Sequence, residues 1–229
     1  AEVYNSIFKL GFGFVEVGTI TPLEQYGNPK PRIFRLVEDQ ALINRLGFNN
    51  LGAENVSSRI RLNKPNGLIG INLGPNKDTQ NRLNDYLIGL RTFHDIADYI
   101  TINISSPNMK DGGMLFGCNP RASAEVVAAV RQATSLPLIA KLTPNVTDIT
   151  EIARAVEQAG ADGIAMINTL LGMAIDVRKR QPILGNITGG LSGPAIKPVA
   201  LALLWKVRQA VALPILGMGG ISTATDALE

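Results

Sequence analysis

The chain has 229 residues, of which 45% are hydrophobic and 18% charged, enough for one sizeable domain, short for two and too apolar for a disordered chain. Its apolar runs are short and broken by Gly, Pro or charge, which excludes a bilayer-spanning segment, and the opening AEVYNSIFKLGFGF lacks the basic start and cleavage site of a secretory signal. The single cysteine, Cys118, excludes an internal disulfide, and the net charge of +3 is scattered, with Arg178-Lys179-Arg180 its longest cluster and no basic stripe for nucleic acid.

After a helix-like start, apolar runs alternate with amphipathic stretches. Residues 12–17 read as a buried strand that ends on Gly18-Thr19, and a loop around Gly27-Asn28-Pro29-Lys30-Pro31 follows. Residues 68–73 form the next strand, with Asn72 near its end, and lead into a helical stretch over 79–93. Strand 99–104 carries Asn103, and a helix over 122–133 comes after it. Strand 138–142 carries Lys141. Asp148, with Glu151 three residues on, starts a helix over 149–159, and Gly160 stops it. Strand 163–167 ends before Asn168-Thr169, residues 181–193 read as a second loop, and a helix over 198–212 precedes strand 215–217 and Gly219-Gly220. The runs are apolar almost throughout, as parallel strands covered on both faces should be.

Strand and helix in alternation mean βαβ units in an α/β fold. A Rossmann sheet would place its glycine fingerprint after the first strand, where none stands. Polar or glycine residues instead close every strand, the pattern of a (β/α)8 TIM barrel whose site is assembled from all its βα loops. Only six strands can be counted, so the first and last strands are expected outside the given chain. With no internal linker, residues 1–229 read as one partial barrel domain, and both loops as covers over its mouth.

The segment most suggestive of chemistry is Thr101-Ile102-Asn103-Ile104-Ser105-Ser106-Pro107-Asn108. An amide on a buried strand needs partners. Taken alone, the segment is equally a capped strand end or a loop that offers hydroxyls and amides to a planar polar ligand. Its surroundings decide: EVGTITP (16–22), LINRLGFNN (42–50), INLGPNKDT (71–79), AKLTPN (140–145), INT (167–169), GGLSGPAIKP (189–198) and GMGGI (217–221) occur in this order. Together they resemble the dihydroorotate dehydrogenases over essentially the whole chain. Residues 1 to about 108 resemble the quinone-reducing class 2 enzymes. From about Asp111 onward the chain resembles class 1B, whose flavin subunit works with an NAD-linked iron–sulfur subunit. Class 1B carries Cys as its base where this chain has Ser106, as in class 2.

The resemblance implies FMN as cofactor and oxidation of dihydroorotate to orotate in pyrimidine biosynthesis. Ser106 matches the base, a weak one that needs a dry, preorganised pocket. Lys141 matches the lysine that stabilises charge on the reduced flavin. Thr19, Asn72, Asn103, Ile167, Gly193, Gly219 and Gly220 match flavin-contacting positions, the glycines at loops where backbone N–H groups approach the phosphate and ribityl chain. The segment Asn44-Arg45-Leu46-Gly47-Phe48, together with Asn103, Asn108, Asn168 and Thr169, matches the substrate grip, for which amides suit a pyrimidine ring because they donate and accept without charge. The resemblance leaves the electron acceptor open between a quinone and the NAD-linked iron–sulfur subunit. It implies a cytoplasmic protein, with peripheral attachment to the inner membrane and homo-oligomerisation also allowed. His94 and Cys118 read as surface and loop residues, and no Cys or His cluster suits a metal. Two alternatives stand beside this reading: a related flavin barrel acting on another dihydropyrimidine, which would want Cys at 106, and a non-redox phosphate-binding barrel, which leaves the Asn/Ser/Lys set unexplained.

Overall fold

The computed structural model describes residues 2–105, 116–185 and 187–229. In chain order its elements are α1 (Tyr4–Phe8), β1 (Phe14–Ile20), β2 (Ile33–Leu36), β3 (Ala41–Asn44), α2 (Gly52–Leu62), β4 (Leu68–Leu73), α3 (Arg82–Phe93), β5 (Tyr99–Asn103), α4 (Pro120–Gln132), β6 (Leu138–Lys141), α5 (Ile149–Gln158), β7 (Gly163–Met166), β8 (Leu170–Met173), β9 (Ile175–Asp176), β10 (Gln181–Pro182), β11 (Thr188–Ser192), α6 (Lys197–Ala210), β12 (Ile215–Gly217) and α7 (Ala224–Leu228). All six runs expected as strands join one curled parallel sheet in the order β1-β4-β5-β6-β7-β12. This is an α/β fold, a partial TIM barrel, with β1 and β12 at the two edges of the sheet.

Helix signals in the sequence act locally as their chemistry dictates. The Asp148 side chain accepts from Thr150 N at 2.9 Å, and Ile149, Ile152, Ala153 and Val156 bury the one face of α5 that their spacing defines. The Asn119 side chain caps α4 from Ala122 N, and Pro120 occupies the first turn. Helix α2 gave a weaker signal, with Ala53, Val56, Ser57 and Ile60 as its buried stripe.

The pleat sorts each strand into two faces. Val15, Val17, Ile69, Ile71, Leu73, Ile100, Ile102, Leu138 and Ala140 are buried and belong to the face under the helices, where Leu73 lies against Gly89 of α3. The opposite face, toward the barrel interior, carries Glu16, Asn72, Tyr99, Thr101, Asn103 and Lys141. The Tyr99 ring lies over Gly70 and meets Phe14 edge-on at 6.0 Å between centroids. Along β4, β5 and β6 the in-register pairs Asn72–Thr101 and Asn103–Lys141 set polar side chains in rows.

One irregularity re-aims a side chain. Val17 pairs with Ile71 and Ile20 with Leu73, so two residues of β1 stand where β4 has one. Val17 and Ile20 both keep their buried places, and Gly18 and Thr19 are turned together to the Asn72 side. Gly18 sits at φ +139°, and a Cβ there would fall 2.5 Å from the Asn72 carbonyl oxygen. Only glycine fits that approach.

The expectation of a plain loop over residues 181–193 is corrected. Thr188–Ser192 is a strand, and β2, β3, β11 and β8 form a four-stranded antiparallel sheet beside the barrel mouth, with β9 and β10 paired separately. The sequence TGGLS has little strand preference of its own. Pairing on both sides, to β3 and to β8, makes it a strand.

Candidate active site

The strand ends converge on a cavity of about 380 Å³, the size of a small-molecule site. Thr19, Asn103, Lys141, Asn168 and Thr169 line it from the barrel, and Asn44, Arg45, Leu46, Gly47 and Phe48 from the roof, so ten of the expected site residues share one space. A larger groove of about 680 Å³ between the 22–27 and 76–79 loops contains Gly47 alone of those expected residues.

A chain of short hydrogen bonds runs beneath the cavity. The Glu16 carboxylate accepts from Asn72 Nδ2 at 2.8 Å and from Thr101 Oγ1 at 2.6 Å. Thr19 Oγ1 donates to Asn72 Oδ1 at 2.8 Å and accepts from Asn103 Nδ2 at 2.7 Å. Ser105 Oγ donates to Asn103 Oδ1 at 2.6 Å and accepts from Asn168 Nδ2 at 2.8 Å. Asn168 Oδ1 takes the Thr169 N–H at 2.8 Å. Asn72, Asn103 and Ser105 are almost fully buried, so these bonds are what makes amides tolerable there. Asn72 is thus one bond behind the cavity wall, not on it.

Lys141 is the cation of the cavity floor. Burial holds its ammonium below the ordinary lysine range, and the nearby Glu16 carboxylate opposes that shift. Its Nζ makes no hydrogen bond or ion pair among the described residues. A largely buried ammonium with no direct partner suits a group that acquires negative charge.

The roof is held by amides that the sequence reading did not single out. Asn28 Nδ2 donates to Arg45 O at 2.8 Å, Gln25 Nε2 to Gly47 O at 2.9 Å, and Asn50 Nδ2 to Phe48 O at 2.8 Å. Asn145 lines the cavity and ties the β6 loop to the next one, donating to Thr169 O and accepting from Leu171 N, each at 3.0 Å. It closes the AKLTPN motif, and that position was its only signal. Thr188, Gly189 and Gly190 complete the wall, and Asn44 Nδ2 donates to Gly190 O at 3.4 Å. Arg45 is 8% exposed, and its Nε has no partner among the described residues.

Gly193, Gly219 and Gly220 gather instead where α6 begins. A Cβ on Gly220, at φ +77°, would lie 2.6 Å from Lys197 N and 3.0 Å from Gly193 O. Ile167 is buried against Gly219. This glycine cradle at the start of a 14-residue helix is open to backbone-mediated contact with an anion. Ser106 and Asn108 lie outside the described residues. Ser105, their neighbour, is fixed through Asn103 and Asn168. His94 is exposed, as expected, and Cys118, expected on a loop, is exposed at the end of a short 3-10 helix, Phe116–Cys118. Among the described residues no helix is long and apolar enough to cross a membrane.

Comparison with known proteins gives this geometry a context. The family model for dihydroorotate dehydrogenase matches residues 1–229. The chain is 49% identical over 234 residues to the catalytic subunit of dihydroorotate dehydrogenase B (NAD(+)) of Desulforamulus reducens, covering 99% of this chain and 73% of that protein. A protein of the same name from Geotalea daltonii is 49% identical over 237 residues, covering 99% and 72%. The dihydroorotate dehydrogenase (quinone) of Bartonella tribocorum is 40% identical over 244 residues, covering 100% and 66%.

Proposed function

This chain belongs to the dihydroorotate dehydrogenase family, and we propose that it is the FMN-dependent oxidoreductase that converts dihydroorotate to orotate in pyrimidine biosynthesis. The observation that carries the reading is the convergence on one cavity of a lysine with no hydrogen-bond or ion-pair partner among the described residues and amides from several strand ends and the roof. A pyrimidine ring alternates carbonyls with N–H groups, and fixed amides match that alternation without introducing charge.

The residues present fit a flavin mononucleotide. The cradle of Gly193, Gly219 and Gly220 at the start of α6 would hold its single phosphate; at Gly193 and Gly220 a side chain would collide with backbone. Thr19, Asn103 and Lys141 would meet the ring system, with Asn72 supporting it from one hydrogen bond behind Thr19 and Ile167 lying beside the Gly219 end of the cradle. When bound, the flavin supplies the hydride acceptor. The substrate loses a hydride from C6 and a proton from C5, and the C5–C6 bond becomes double.

The protein's own groups do the rest. Ser106 takes the C5 proton; its neighbour in sequence, the buried Ser105, donates to Asn103 Oδ1 through both its N–H and its hydroxyl. Asn44, Asn103, Asn108, Asn168 and Thr169 orient the substrate, and the roof segment Arg45-Leu46-Gly47-Phe48 closes over it and excludes water. Lys141 faces the negative charge that flavin reduction builds. Electrons leave to a quinone or, through an NAD-linked subunit, to NAD(+); the relatives' names carry quinone and NAD(+).

Acid release of the flavin from the purified protein, separated chromatographically, tests the cofactor; recovery of FAD alone would refute it. Rapid mixing with dihydroorotate should bleach the flavin and yield orotate. A flavin that stays oxidised would refute the substrate.

A further inference from the structure

The glycines of the cradle come from two segments of the chain, Gly193 before α6 and Gly219-Gly220 after β12. Keeping the two together is a requirement separate from having them. Backbone packing meets part of it: a Cβ on Gly220 would fall 2.6 Å from Lys197 N, and Gly219 lies against Ile196 and Ala200. An ion pair adds to it. Lys197 Nζ, on the first residue of α6, donates to Asp226 Oδ1 at 2.6 Å and to Glu229 Oε2 at 2.9 Å. The second Asp226 oxygen, Oδ2, accepts from Ser222 N at 3.0 Å and from Thr223 N at 2.8 Å. Thr223 Oγ1 accepts in return from Asp226 N at 3.2 Å. Asp226 therefore grips the segment just beyond Gly220 with one oxygen and the start of α6 with the other. Among the described residues, Lys197 makes the only side-chain hydrogen bonds between residues 219–229 and α6.

We infer that Lys197 and Asp226 are positioning residues for the cofactor's phosphate: their ion pair latches the Gly219-Gly220 bend against the start of α6 and so holds the cradle in shape. The inference rests on the proposed function for the identity of the ligand. The latch itself stands on bonds within the protein. An exposed ion pair contributes little, because water screens it and two long side chains must be held still. Here Lys197 and Asp226 keep 27% and 17% of their side-chain exposure, and two backbone N–H groups already fix the carboxylate. Lys197 is also committed to two carboxylates, which makes it a strut of the cradle rather than a free cation inside it.

The test compares two ligands that differ only in the phosphate. Full-length protein stripped of flavin is titrated with FMN and with riboflavin, and the ratio of the two dissociation constants is read for each variant. A general loss of stability, or damage to the ring pocket, moves both ligands and leaves the ratio alone. Lys197→Met cuts the latch at α6. Asp226→Asn cuts it at the other end, while its amide oxygen can still accept from Ser222 and Thr223. Each variant should lower the preference for FMN about fivefold or more, and the double variant should lose no more than the larger single loss, as two ends of one bond do. If Lys197 met the phosphate directly, freeing it from Asp226 would keep or raise the preference. An undiminished ratio in either variant, or losses that add in the double variant, would therefore overturn the inference. If one variant does not fold, the other decides alone; failure of both would make the pair a folding element and overturn the idea too. Wild-type protein that binds neither flavin, or binds both alike, would refute the proposed function and the latch with it, whereas a wild-type preference that the variants keep sinks the latch alone.

Discussion

Replacing Lys141 with methionine should move stability and chemistry in opposite directions. The ammonium lies in a cavity floored by amides, has no ion pair among the described residues, and is held below the ordinary lysine range by burial. Methionine fills a similar volume without the charge. The flavin-free protein should therefore gain about 1 kcal/mol, or roughly 3 °C in Tm, after Glu16 loses a favourable neighbour. Flavin reduction should fall about a hundredfold or more, the roughly 3 kcal/mol that one preorganised group contributes to developing charge in a dry site. The pH dependence follows from the direction of the shift. Between the lowered native value and the ordinary lysine value, the unfolded chain binds more protons than the native one, so wild-type stability rises with pH across that window. The advantage of Lys141→Met should be full at neutral pH and vanish as the pH approaches the ordinary lysine value. Urea denaturation across pH and stopped-flow reduction by dihydroorotate measure both halves. A variant that is less stable than wild type yet reduces its flavin at the normal rate would make Lys141 a structural cation.

Asn103→Leu leaves the Thr19 and Ser105 hydroxyls and the Ser105 N–H without their partner, so it should cost about 3 kcal/mol in urea denaturation and abolish orotate binding. Gly18→Ala forces a Cβ against the Asn72 carbonyl from a left-handed backbone; a loss below about 2 kcal/mol, or full flavin content, would contradict the bulge geometry. Gly220→Ala should weaken flavin binding at least tenfold in equilibrium dialysis while the fold, read by circular dichroism, persists. Asp148→Ala removes a helix cap far from the cavity and should cost about 1 kcal/mol with unchanged turnover.

The barrel was legible because its strands are buried on both faces and therefore spell out apolar runs, which a single polar residue such as Asn72 or Lys141 punctuates visibly. The roof was not. Its strands are four or five residues long, TGGLS lacks strand preference, and its pairing joins segments that sequence proximity cannot relate. The cavity wall could be assembled from strand-end polars and the family likeness, and the structure brings Thr19, Asn103, Lys141 and Asn168 together on one cavity. Asn28, Gln25 and Asn50 escaped it because loop amides look alike in sequence, and only their acceptors reveal which ones hold a wall in place. Glu16 escaped it for the opposite reason: one acid inside EVGTITP reads as part of a motif, and its hydrogen bonds reach partners 56 and 85 residues away.

The roof has a temporal meaning as well. Each successive pair of barrel strands is joined through one α-helix, with roof strands added between β1 and β4 and between β7 and β12, whereas Asn44 and Gly190 bond across 146 residues. Closing so long a loop is entropically the harder step, so a folding chain should complete its sheet before the cavity has a lid. The roof is also thinly covered, with Ile33, Leu171 and Met173 exposed. Pulse-labelling hydrogen exchange should find β4, β5 and β6 protected early and β3 and β11 late. In the native protein the roof amides should exchange through partial opening, slowed by orotate. Equal protection of both sheets at the earliest times would show that they form as one unit. If the order holds, newly made molecules pass through a stage in which the barrel is built and the enzyme is not yet able to retain its substrate.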